Sequence, residues 1–88
     1  MLEAFELQAA RLRNHYYYIR FHRSHNKRRN HYRKAAKEKG QLVALGYSRE
    51  VVRLYALWLR DPRREDRYKR FLEAFQEWQY GPKQLALF

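Results

Sequence analysis

The stretch NHYYYIRFHRSHNKRRNHYRK, residues 14–34, decides how this chain folds. It carries no glycine or proline, and neither occurs anywhere before Gly40. A helix that enters such a stretch meets no strong local breaker. Upstream, Leu2, Phe5, Ala9, Leu12, Tyr16 and Ile19 step by 3, 4, 3, 4 and 3, the spacing of one helical face. Downstream, Lys37, Glu38 and Lys39 precede Gly40, and cations in a last turn followed by glycine read as a helix stop. The expectation is one long basic helix over about residues 3–39. Two features work against continuity. YYYIRF, residues 16–21, has strand-like composition, and Ser24 to Asn26 could divide the helix in two. The tetrapeptide Arg-Asn-His-Tyr occurs at 13–16 and again at 29–32. Sixteen residues apart on a single helix, the copies point in different directions, so the repeat reads as chance.

Beyond this stretch, QLVALGY (41–47) reads as a short apolar connector between Gly40 and Gly46. Ser48 is a good N-cap with Glu50 in the first turn. The run Val51, Val52, Leu54, Tyr55, Leu57, Trp58, Leu59 is apolar nearly all round, which predicts a central second helix over about 48–60. Asp61-Pro62 reads as cap and first residue of a third helix, about 62–79. Tyr68, Phe71, Leu72, Phe75 and Trp78 follow at helical spacing, and Gly81-Pro82 ends it. The expected fold class is all-α: a small three-helix bundle over 1–80 with a flexible C-terminal tail, 81–88.

Bulk composition narrows the function. The chain has 88 residues, enough for one domain with a modest core, and 17% aromatic content strengthens that core. The absence of cysteine excludes disulfides, thiolate metal sites and cysteine nucleophiles. No apolar run reaches membrane-spanning length, and MLEAFELQAAR lacks the layout of a secretory signal. A soluble, cytoplasmic protein without membrane contact is expected. Twenty Lys plus Arg stand against nine Asp plus Glu, formally +11. A charge of that size speaks to partners, with nucleic acid first, ahead of an anionic membrane surface or an acidic protein.

The charge is concentrated. Residues 11–39 hold eleven Lys or Arg and one acid, Glu38, with all four histidines and Tyr16, Tyr17, Tyr18, Phe21 and Tyr32. On a continuous helix Arg13, Arg20, Arg23, Lys27 and Lys34 share one face at spacings of 7, 3, 4 and 7. With Arg28, Arg29 and Arg33 they make the expected nucleic-acid-binding surface. Asn14, Asn26 and Asn30 could add base or phosphate contacts. At helical spacing the tyrosines are expected in core and rim first, with stacking on unpaired bases second. The competing reading of the charge is a solvated or acidic-protein-facing surface. His22 and His25 stand at i, i+3, but a metal would want carboxylates or further histidines beside them, so no metal site is expected. Glu73 and Glu77 pair as easily with Arg70 or Lys69 as they would perform acid–base work. No catalytic constellation emerges, and neither enzyme activity nor a cofactor is expected.

Gln84-Leu85-Ala86-Leu87-Phe88 resembles the bacterial sliding-clamp-binding pentapeptide, Gln-Leu-x-Leu-Phe, in which Ser or Asp is common at the third place. The motif occurs in replicative and translesion polymerases, mismatch-repair proteins, and some initiators and their regulators. Four specified positions match, and the resemblance covers 5 of 88 residues. It implies the DNA polymerase sliding clamp as a partner, with Gln84 as polar anchor and Leu85, Leu87 and Phe88 filling an apolar cleft. Gly81-Pro82-Lys83 would free the segment to extend. The alternative is that the segment folds back over Trp78 and Tyr80. A weaker echo, Gln41-Leu42-Val43-Ala44-Leu45, is assigned to packing.

The expected function is a non-enzymatic DNA-binding accessory protein of replication, repair or mobile-element maintenance, tethered to the clamp. Two alternatives stand beside it: a phage- or plasmid-type inhibitor occupying the clamp pocket, and an RNA- or ribosome-associated basic protein without clamp binding. The heptad-like start of the first helix could also pair with a second copy.

Overall fold

A computed structural model describes residues 2–81; Gln84, Leu85, Leu87 and Phe88, and with them the expected clamp-binding segment, lie outside the described residues. Within 2–81 every regular element is an α-helix: α1 (Leu2–Gln8), α2 (Ala10–Phe21), α3 (His25–Ala44), α4 (Arg49–Arg60) and α5 (Glu65–Tyr80). The all-α expectation holds, but the three-helix count does not. Residues 2–47 form one compact unit and residues 48–81 belong to a second. No helix among the described residues is long and apolar enough to cross a membrane.

The expected helix 3–39 becomes α1, α2 and most of α3. Its first seam is slight. At Ala9 the i→i−4 ladder persists, with Ala9 N–H donating to Phe5 at 2.9 Å and Arg13 N–H to Ala9 at 3.0 Å. The Arg13 guanidinium also donates to the Glu6 carbonyl across this seam. The second break is complete. His22 and Ser24 take extended backbone (ψ 132° and 125°), and the chain reverses. Near the turn His22 faces His31, and at the far end Phe5 meets Tyr47, so the helices run antiparallel as a hairpin. The predicted stripe is recovered in full at its core positions: Phe5, Ala9, Leu12, Tyr16 and Ile19 are buried. Against them α3 buries only Ala35 and Leu42, so this hairpin is held chiefly by α2's apolar face and by ring contacts. Each large side chain so buried contributes roughly 1.5–3 kcal/mol before ordering costs.

Gly40 does not stop α3, which runs on through the expected connector. Burial of Leu42 holds the helix past a residue whose intrinsic cost is only about 1 kcal/mol. The true stop is Gly46 at φ +109°. There Tyr47 N–H donates to the Leu42 carbonyl at 3.2 Å and Gly46 N–H to Val43 at 3.0 Å, the paired bonds of a Schellman cap. Tyr47 then locks the end in place. Its ring meets Phe5 edge-on at 4.9 Å, and its hydroxyl donates to Gln8 Oε1 at 2.6 Å.

The second unit is also a helical hairpin. Ser48 caps α4 as expected, its hydroxyl accepting from Val51 N–H at 3.4 Å. Val51, Val52, Leu54, Tyr55, Ala56 and Leu59 are buried, and Phe71 and Phe75 of α5 pack with them. Tyr55 meets Phe71 at 4.8 Å and Trp58 meets Tyr68 at 4.6 Å. Asp61-Pro62 does not open α5. Arg64 N–H donates to Asp61 at 2.9 Å, closing a β-turn with Pro62 at its second position, where the fixed φ of proline serves equally well. Trp58 Nε1 donates to the Pro62 carbonyl at 3.2 Å and Arg67 Nη1 to Leu57 at 3.0 Å, which pins the turn. The first turn of α5 then holds the Arg64–Asp66 fork at 2.9 and 2.8 Å, and this hydrogen-bonded guanidinium brings the Asp66 carboxyl down to about 2.

Gly40 within α3 and Gly46 just past its end should respond to alanine with opposite signs. Nothing lies within 4 Å of a Cβ added at Gly40, so Gly40→Ala should stabilise by roughly 0.5–1 kcal/mol. Gly46→Ala should destabilise by about 1–2 kcal/mol, because its φ is one that L side chains rarely adopt. Urea denaturation followed by circular dichroism checks both; equal signs would contradict the cap described above.

Candidate nucleic-acid interface

Charge is divided unequally between the two units. Residues 1–47 carry eleven cations against three acids, a net +8; residues 48–88 carry nine against six, a net +3, and together these give the chain's +11. In the second unit acids are interleaved with bases and pair with them: Glu50–Arg53 at 2.7 Å, Asp61–Arg63 at 3.4 Å and Asp66–Arg64 at 2.8 Å. The first unit has one acid, Glu38, after residue 6.

The break at His22–Ser24 rearranges the expected surface. Arg13, Arg20, Arg23, Lys27 and Lys34 cannot share one continuous helix face, because Arg13 and Arg20 sit on α2, Arg23 in the turn, and Lys27 and Lys34 on α3. The hairpin brings their two halves side by side in place of a single line. Arg20, Arg23, Lys27, Arg28, Arg29, Arg33 and Lys34 are all exposed, and Arg13 is half-buried. Residues 23–30 are exposed without exception, so the turn and the first turns of α3 form a cationic tip. Only Lys and Arg side chains of this kind neutralise a polyphosphate without a fixed sequence of bases.

The aromatic residues separate into two sets. Tyr16 is buried at 1% exposure, as a core tyrosine should be. Tyr17, Tyr18, Phe21 and Tyr32 are exposed, Phe21 at 66% and Tyr17 at 49%. The core-and-rim expectation therefore fits Tyr16 alone. Tyr17 and Phe21 rings lie 4.6 Å apart, and Tyr17 meets Tyr18 edge-on at 5.5 Å.

A histidine cluster lies beside them, and the sequence reading missed it. His22 and His25 do not share a helix face, since the helix breaks between them. Instead His31 of α3 stacks on Tyr18 at 5.0 Å and on His22 at 5.5 Å, and its Nδ1 lies 3.2 Å from Nδ1 of His15. The signal was the repeated Arg-Asn-His-Tyr. His15 faces His31 and Tyr16 faces Tyr32 at 6.2 Å, so the two copies meet like with like across the hairpin. The Nδ1–Nδ1 hydrogen bond needs one donor and one acceptor, hence at least one neutral ring. Burial, and then the neighbouring His15, His22 and Lys34, depress His31 below its ordinary value of 6.5. Among the described residues no group of three or more His, Cys, Asp or Glu is arranged to hold a metal ion. Glu73 and Glu77, at i, i+4 on α5, are exposed along an open groove beside Arg70 and Trp78.

Because His31 binds a proton less readily in the folded hairpin than in the unfolded chain, stability is unaffected well above pH 6.5 and is lost as pH falls through that value. Titration of the ring protons by NMR should place His31 below 6.5, and His15→Ala should raise its midpoint. A midpoint at or above 6.5 in the parent chain would contradict the cluster as described. Comparison of the chain with protein families, with curated proteins and with solved structures finds no match.

Proposed function

We propose that this protein is a non-enzymatic DNA-binding accessory factor that docks on the bacterial sliding clamp through residues 84–88. The observation that carries the nucleic-acid half is the first unit, whose net +8 is displayed on exposed Arg and Lys around a tight helical turn. A solvated surface usually mixes its signs, as the second unit does. The clamp half rests on the resemblance of Gln84-Leu85-Ala86-Leu87-Phe88 to the clamp-binding pentapeptide. Gly81, at φ +79°, ends α5 shortly before that segment.

The two halves support each other physically. A clamp encircles duplex DNA, so a clamp-bound partner already stands near phosphates. A short apolar peptide binds modestly, at roughly micromolar strength, after ordering costs are met. Joined to a cationic surface in one chain, two such contacts gain about 10²–10⁴ in apparent affinity.

Calorimetry with a purified clamp tests the tether. The full chain should bind, and a Leu87→Ala, Phe88→Ala variant should not, while DNA affinity of the isolated protein changes less than about twofold. Absence of clamp binding by a folded full chain would remove the tether and leave a basic nucleic-acid binder. At the hairpin, Arg23→Glu with Arg29→Glu should weaken DNA binding by at least about tenfold. It should also lower the slope of log affinity on log salt by roughly two, near one per lost phosphate contact. Unchanged affinity and slope would contradict the hairpin as the DNA surface.

A further inference from the structure

We propose that the α2–α3 hairpin takes nucleic acid as a single strand, with unpaired bases stacking on Tyr17, Phe21 and Tyr18 and phosphates held by the adjacent cations. This rests on the nucleic-acid reading above and adds to it the form of the strand.

Three observations converge. The first is exposure: a 12-residue helix that buries Leu12, Tyr16 and Ile19 on one side leaves Tyr17, Tyr18 and Phe21 exposed on the other. The second is order among the rings. Phe21 contacts Tyr17, Tyr17 contacts Tyr18, and Tyr18 in turn packs against both His22 at 5.5 Å and His31 at 5.0 Å, with interplanar angles near 20°, the three rings forming a mutual cluster. The rings are therefore held by neighbours in place before any ligand arrives, which reduces the ordering cost of binding. The third is charge placement. Arg13 precedes Tyr17 by four residues and Arg20 follows it by three, so both flank the ring on the same helical face, and Arg23 follows Phe21 at the turn.

The form of the strand follows from the π-faces. In a duplex each base face is already covered by the next base pair, so exposed rings gain nothing by stacking. A single strand offers those faces, and aromatic side chains interleaved with cations suit it whatever its sequence. A second copy of this chain is a poorer occupant, because joining two such faces would bring together two units of net +8.

Fluorescence anisotropy with four labelled probes of about 15 nucleotides tests this: a DNA strand, the same strand as RNA, its duplex, and an abasic strand carrying phosphates without bases. Base-bearing single strands should bind about tenfold or more tighter than the duplex and the abasic strand. Tyr17→Ala with Phe21→Ala should lose about tenfold or more on the base-bearing strands only, and Tyr17→Phe should retain affinity. Both substituted residues are exposed, so helix content by circular dichroism should be unchanged. The DNA and RNA arms distinguish the source of the strand. Tighter duplex binding overturns the proposal while sparing the nucleic-acid reading. So does an equal loss by the double variant on every probe. Failure to bind any probe, the abasic strand included, overturns both. Self-association abolished by the double variant would assign the rings to a dimer and overturn the proposal as well.

Discussion

The break at His22–Ser24, with its two extended residues His22 and Ser24, sets two forces against each other. By reversing the chain it brings α3 back along α2 and lets rings from both helices meet. It also brings together two segments of the same charge, with Lys27, Arg28, Arg29, Arg33 and Lys34 on one and Arg11, Arg13 and Arg20 on the other. Attraction wins because α2 offers a continuous apolar face from Leu12 to Ile19, and because α3 sends inward the small or uncharged Ala35, Leu42 and His31. The cations are left outside, where water and salt reduce their repulsion. His31 feels that balance directly: partial burial, and then the neighbouring His15, His22 and Lys34, disfavour its charged form.

Much of the helical structure was legible from spacing alone. The stripe Phe5, Ala9, Leu12, Tyr16, Ile19 is buried as read, and α4 begins and ends where Ser48 and Arg60 suggest. These are places where local signal and packing agree. Two of the misreadings turned on a residue type with two legitimate uses. Glycine both interrupts and caps, and only the burial of Leu42 shows that Gly40 is carried through while Gly46 ends the helix. Proline suits the first turn of a helix and the second position of a β-turn, and the bond from Arg64 to Asp61 selects the turn. The break at His22–Ser24 has no glycine or proline to announce it and follows from what the two flanking helices gain by pairing.

The cationic surface was legible as a list of residues, and its shape was not. A straight helix would space Arg13 and Lys34 about 30 Å apart along one edge. The hairpin instead folds that edge double and sets exposed rings beside the cations on one small element. In the second unit Tyr55, Phe71 and Phe75 are buried and acids alternate with the bases, while Trp78 and Tyr80 are exposed.

The pairing of helices also bears on how the chain reaches this structure. Each hairpin joins segments that are neighbours in sequence, through turns of three or four residues between α2 and α3 and between α4 and α5. Closing such short loops costs little entropy, and chains rich in local contacts fold in microseconds to milliseconds. The Tyr47 lock onto Phe5 and Gln8 ties the end of α3 to α1 within residues 2–47. During synthesis, both partners of that lock therefore emerge from the ribosome ahead of α4.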